Sequence, residues 1–155
     1  MLRKKPFLYE PDETEKENAS NSYLMSLIAL MVGLPLPVIN LIATGIFYVA
    51  HRKGRLFTRW HCTQAMLSQF MLFFINLGTI GWIFLIISNY TDLSNYFIAY
   101  VLVALVINLA EFIMTIYSAT VIRKGTHVEW WFLGDLTNQL VLKDDHPADS
   151  HTPLS

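Results

Sequence analysis

The chain has 155 residues, of which 54% are hydrophobic and 15% charged, with a formal net charge of −1. That balance excludes a basic nucleic-acid-binding module, and a single cysteine, Cys62, excludes an internal disulfide framework. The charges are clustered: nearly all lie before Tyr23, between His51 and Arg59, or after Ile122.

Arg3, Lys4 and Lys5 are followed by PFLYEPDETEKENAS, where a signal peptide would need an apolar run. The start therefore predicts no cleavable signal, and residues 1–19 read as a polar, flexible tail. NASNS supplies cap residues for a helix beginning near Ser22. A membrane domain over 20–142 follows, with apolar stretches at 23–50, 60–88 and 96–122 that each exceed the roughly 20 residues a spanning helix needs.

GLPLP at 33–37 interrupts the first stretch, because Pro35 and Pro37 remove backbone donors and disfavour helix at the residues before them. Helices over 22–33 and 37–50 result, each too short to cross a hydrocarbon core of about 30 Å. A re-entrant hairpin broken at Gly33–Pro37 puts all 11 Lys and Arg on one side of the membrane. A single kinked span would instead export the N-terminal ones, so charge favours the hairpin. Two full transmembrane helices, 59–88 and 96–122, complete an all-α integral membrane fold. Val128, Phe132, Leu136 and Leu140 then recur every four residues, which predicts an interfacial helix over 127–142 anchored by Trp130 and Trp131. Residues 143–155 read as a disordered tail.

Each apolar stretch carries an amide or acid at similar depth: Asn40, Asn76, Asn108 and Glu111. Glu111, about 18 Å from Arg123 by helical rise, is too costly to face lipid. The expectation is a polar layer in which these four meet, each interhelical hydrogen bond contributing about 0.6 to 2 kcal/mol. A proton-handling role for Glu111, in a small transporter or proton-coupled channel, is the competing reading.

On a helix, His61, Gln64 and Ser68 share one side while Cys62 points elsewhere, so His61 and Cys62 make a poor metal pair. The 54–70 stretch reads as a helix entry at the membrane surface, with Arg55 and Arg59 placed to meet lipid phosphate. Paired carboxylates, a Ser-His-Asp order and a Gly-rich phosphate loop are all missing from the sequence, which predicts no enzyme, no cofactor and no metal.

FTRWHCTQAMLSQF, with Phe57, Arg59, Trp60 and His61 followed by Gln64-Ala65 opening a long apolar helix, resembles the third-helix start of the Tic-twenty family of the chloroplast inner-envelope import translocon. It is more similar still to bacterial relatives of uncharacterised function, which share a His at this place and a Lys-Gly pair, here Lys124-Gly125, after the last span. The likeness covers about residues 20–140, although HVEWWFLGDLTN departs from the plastid pattern. It implies four helical segments with both termini cytoplasmic. The resulting expectation is a non-enzymatic component of a membrane assembly related to protein import or translocation, in a bacterial inner membrane. Its partners would be the lipid bilayer and other membrane proteins, with no nucleic acid, and a homo-oligomer is compatible with the sequence.

Overall fold

The computed structural model describes residues 2–33 and 37–144. In chain order these form strand β1 (Leu2–Lys5) and helices α1 (Glu13–Gly33), α2 (Pro37–His51), α3 (Leu56–Ile87) and α4 (Asn95–Arg123), then strand β2 (His127–Trp130) and helix α5 (Trp131–Asp144). The helix break at Gly33–Pro37 is bounded by the end of α1 and the start of α2, while residues 34–36 lie outside the described part. Residues 145–155 of the expected disordered tail lie outside it as well.

Two helices, α3 and α4, are long and apolar enough to cross a membrane, and α2 is a shorter apolar helix. Both long helices end on backbone geometry that sequence chemistry permits. At the end of α3, Asn89 takes a positive φ of 57°, and its N–H and that of Tyr90 bond back to the carbonyls of Ile86 and Leu85. At the end of α4, Gly125 takes φ 81°, its N–H bonds the Ile122 carbonyl, and Thr126 N–H bonds that of Val121. This pair of bonds is the Schellman closure, which suits glycine and tolerates asparagine.

The reversal at Gly125 corrects two expectations. The chain does not continue as an interfacial helix from 127: β2 folds back along α4 and pairs antiparallel with β1, Leu2 opposite Trp130 and Lys5 opposite His127. The helix begins only at Trp131. The N-terminal segment, expected as a flexible tail, supplies the partner strand and the first two turns of α1. That helix starts early because Asp12 and Glu15 form a reciprocal cap: Asp12 Oδ1 accepts from Glu15 N–H at 2.8 Å, and Asp12 N–H donates to Glu15 Oε2 at 3.2 Å. A two-stranded sheet thus accompanies the five helices among the described residues, where an all-α chain was expected.

Helix directions follow from the contacts. Thr58 donates to the Glu15 carbonyl and Gln64 to the Tyr23 hydroxyl, so α1 runs parallel to α3. Gly45 of α2 meets Met66, and α2 leads into α3 through the 52–55 loop, so α2 runs antiparallel to both. Extrapolated at equal helical rise, the ends of α1 and α2 fall near Phe74. The last 13 or so residues of α3, about 20 Å, extend beyond them. The buried residues of α3 accordingly all lie between Phe57 and Leu72. Beyond them α3 and α4 present apolar side chains outward, Phe84 at 65% and Leu105 at 62% exposed among them.

Charged residues at the other end pair with one another. Arg55 reaches Asp12 at 2.5 Å and Glu15 at 3.5 Å, and Arg123 reaches Glu17 at 3.3 Å. Arg59 donates to the Val141 carbonyl at 3.2 Å. The acidic N-terminal segment meets Arg55, and α5 meets Arg59.

Replacing Gly125 by Ala forces a Cβ into left-handed backbone and against the Lys16 side chain, 2.9 Å from its Cε. Thermal unfolding of the purified protein should show a loss of about 1–2 kcal/mol. Gly125→Asn should lose less, because asparagine visits that region more readily.

Candidate functional site

The helix-entry motif is the hub of the fold. Phe57, Trp60, His61, Gln64 and Ala65 are all buried, and each faces a different neighbour. Phe57 stacks edge-on against Phe7 and His61. Trp60 Nε1 donates to Asn138 Oδ1 of α5 at 2.7 Å, and Ala65 joins the apolar core with Ala19, Ala119 and Val128. Gln64, with no exposed surface, ties three segments: its Nε2 donates to Tyr23 Oη at 2.7 Å and to the Val128 carbonyl at 3.3 Å, while its Oε1 accepts from Trp130 N–H at 3.1 Å.

From Gln64 a chain of hydrogen bonds runs through buried side chains to the sheet. Tyr23 Oη lies 3.3 Å from His61 Nδ1, His61 Nε2 lies 3.1 Å from His127 Nδ1, and His127 Nε2 lies 3.4 Å from Glu129 Oε1. Lys5 closes the chain on Glu129 Oε2 at 2.5 Å. An ionised Glu129 only accepts, and this fixes the direction of every bond before it. His127 Nε2–H donates to Glu129, so His127 Nδ1 accepts from His61 Nε2–H; His61 Nδ1 then accepts from Tyr23 O–H, and Tyr23 accepts from Gln64. Both rings are neutral in this arrangement.

Charge is managed at one end. Burial holds His127 below the ordinary imidazole range, against the opposing pull of Glu129. Burial pushes Glu129 upward, but the hydrogen bonds and charges of Lys5 and His127 together bring it below the usual carboxylate value. Tyr23, His61 and Glu129 are all at most 5% exposed. These three side chains are closed to solvent, and the bonds along the chain tie the strands to α1 and α3.

The four residues expected to form one polar layer separate into distinct sites. Asn76 and Asn108 bond reciprocally at 3.0 and 2.9 Å. Glu111 takes its partners from α3 and its own helix: Oε1 accepts from Gln69 Nε2 at 2.7 Å and Thr115 Oγ1 at 2.9 Å, with Ser68 Oγ at 3.5 Å. Asn40 joins neither, and its Oδ1 is buried with no hydrogen-bond partner among the described residues. Depth also changes. Lys4 lies over the Tyr117 ring, 5.6 Å from its centroid, because β1 and β2 fold back beside α4. The nearest charged level is thus about six residues from Glu111, roughly 9 Å, rather than about 18 Å.

Of the two expected anchors, only Trp131 is exposed, at 64%. Trp130 is buried and donates from Nε1 to Ser118 Oγ at 2.9 Å, because the strand turns it toward α4. Sequence reasoning missed Lys5, Tyr23, Gln69, His127 and Glu129. His127 and Glu129 become neighbours of α3 only through the strand pairing, and Gln69 sits beside the His61–Gln64–Ser68 face that the helical period did reveal. Among the described residues, no group of three or more His, Cys, Asp or Glu is placed to hold a metal ion.

Acid should loosen the sheet in two steps. With its folded pKa lowered, His127 adds stability above its unfolded value of 6.5, and that stability is lost as pH falls through 6.5 toward the folded value. Glu129, also lowered, adds stability above its unfolded value of 4.5 that is lost as pH falls through the folded one. Tryptophan emission from Trp60 and Trp130 should begin to shift below pH 6.5, and His127→Gln should reduce that first step while leaving the second.

No family model, no curated protein and no solved structure matches this chain.

Proposed function

We propose that this chain is a non-enzymatic integral membrane protein, similar in kind to the Tic-twenty family, acting as a component of a membrane assembly related to protein import or translocation. The observation that carries the membrane reading is the division of the α3–α4 pair into two surfaces. Apolar side chains of 38% exposure or more, from Phe70 to Ile87 and from Ile98 to Tyr117, face outward. Asn76, Asn108, Glu111 and Gln69 turn inward onto one another. Water would favour the reverse, whereas lipid favours this arrangement, since a polar group in hydrocarbon needs a partner within the protein.

Charge supports an orientation. All 11 Lys and Arg belong to segments at the end where α3 begins and α4 finishes, and the loop between the two helices holds none. That end is cytoplasmic in a bacterial inner membrane by the positive-inside rule, and it carries both termini because α1 and α2 turn back near the level of Phe74. The family resemblance rests on the sequence from Phe57 to Phe70 and on Lys124-Gly125, and four helical segments are what it implies. Trp131 and Phe132, both exposed, lie at the level of the folded-back strands, where amphipathic rings favour an interface.

The second reading, a transporter or proton-coupled channel, is favoured by one observation: Glu111 Oε2 has no hydrogen-bond donor among the described residues.

Cross-linking in native membranes separates the two when combined with Glu111→Gln. An assembly component should capture a translocation or envelope-assembly partner, with the variant capturing it equally and passing no less protonic current than the native chain in reconstituted vesicles. A transporter should lose proton flux in the variant at unchanged expression, and that result would replace the assembly reading.

A further inference from the structure

We infer that a cleft beside Glu111 is a binding site for a lipophilic amine, an apolar molecule whose only charge is a protonated amino group. The inference rests on the membrane reading above and is independent of the family resemblance. The cleft has a volume of about 310 Å³ and opens between α3, α4 and the start of α5. Met71, Met114, Trp131 and Phe132 wall it, and its polar lining includes Glu111 and Ser68.

The carboxyl is fixed but half-used. Gln69 and Thr115 donate to Oε1 at 2.7 and 2.9 Å. The Ser68 hydroxyl is 3.5 Å from the same oxygen, and its proton is committed to the Ala65 carbonyl at 2.8 Å. Oε2 receives no donor among the described residues, and no Lys, Arg or His there forms an ion pair with Glu111. A carboxylate beside an apolar cleft without a counter-charge is costly, so Oε2 is the atom that meets either a proton or an incoming ammonium.

The walls select the rest of the ligand. Methionines adapt to an apolar body of varied shape, and the indole and phenyl faces of Trp131 and Phe132 attract a cation. Among the described residues, no Lys, Arg or His lines the cleft to receive a phosphate. This disfavours a zwitterionic phospholipid head and favours an amine with a hydrocarbon body. Such a molecule partitions into the bilayer and reaches the cleft from the acyl layer, past the exposed side chains of Met71 and Phe132.

The test uses full-length protein in lipid nanodiscs, a bromoalkyl primary amine, and the bromoalkyl alcohol of the same chain length. Quenching of Trp131 is isolated by subtracting the signal of Trp131→Phe. The amine should bind about tenfold more tightly than the alcohol, the ratio a charge-assisted hydrogen bond sustains. Glu111→Gln should bring the amine to the level of the alcohol and leave the alcohol unchanged. Ala110→Phe, which fills the cleft and keeps the carboxyl, should weaken both probes. Equal binding of amine and alcohol by the native chain, a preference that survives Glu111→Gln, or binding unaffected by Ala110→Phe would each overturn the site. Co-flotation of each variant with vesicles runs alongside: a native chain that does not float overturns the membrane reading and the site with it, whereas a floating chain without amine preference overturns the site alone.

Discussion

One amide side chain holds the strand-bearing half of this molecule together. Gln64 has two ends of opposite hydrogen-bonding character, and both are used on different segments: the donor end on Tyr23 of α1 and the Val128 carbonyl, the acceptor end on Trp130 N–H of β2. A strand buried on both faces, as His127–Trp130 is, leaves backbone groups that only a neighbouring side chain can satisfy once β1 has taken its share. Buried polar groups left unmatched cost about 1–3 kcal/mol each, so the sheet and α1 dock where Gln64 can reach both. The Tyr23–His61–His127–Glu129 chain then follows from the same placement and sets the ring tautomers from its charged end.

Above this hub the physics changes. Past Leu72, α3 has no buried residue, and its partner α4 covers it on one side through Asn76–Asn108 and through Tyr100, whose hydroxyl donates to the Ile75 carbonyl at 2.9 Å. A helix pair with so little buried surface gains little from the hydrophobic effect in water. In lipid it needs only close packing and matched polar groups, which the two helices have. The molecule therefore combines a cap built around a mixed polar and aromatic core with a two-helix extension long and apolar enough to cross a membrane.

Long-range and local features differ in how far the sequence reveals them. The long helices are legible because apolar runs ended by charges leave few alternatives, and the break near Pro35 and Pro37 is legible because proline removes the donors a helix needs. Asp12-Glu13-Thr14-Glu15 also contains its cap in plain view, but its polar composition reads as a tail unless the three-residue spacing is given priority. The strand HVEW is hidden for a different reason. Val128, Phe132, Leu136 and Leu140 imitate a helical stripe, and the partner strand lies more than a hundred residues away in the chain. Side-chain stripes are legible as faces, as with His61, Gln64 and Ser68, all buried, but the period of one helix carries no information on the register of the next. That is why Glu111 meets Gln69 and Asn40 meets neither of the other amides.

The clamp made by Gln64 is the contact on which the fold depends most directly, and the apolar Gln64→Leu variant of similar volume tests it by thermal unfolding together with hydrogen exchange at the Trp130 amide. Losing both ends of the clamp while keeping the volume should cost about 2–4 kcal/mol and should expose the amides of His127–Trp130 to exchange, with the Asn76–Asn108 level of α3 and α4 unchanged. Wild-type stability with full protection of the Trp130 amide in that variant would contradict it.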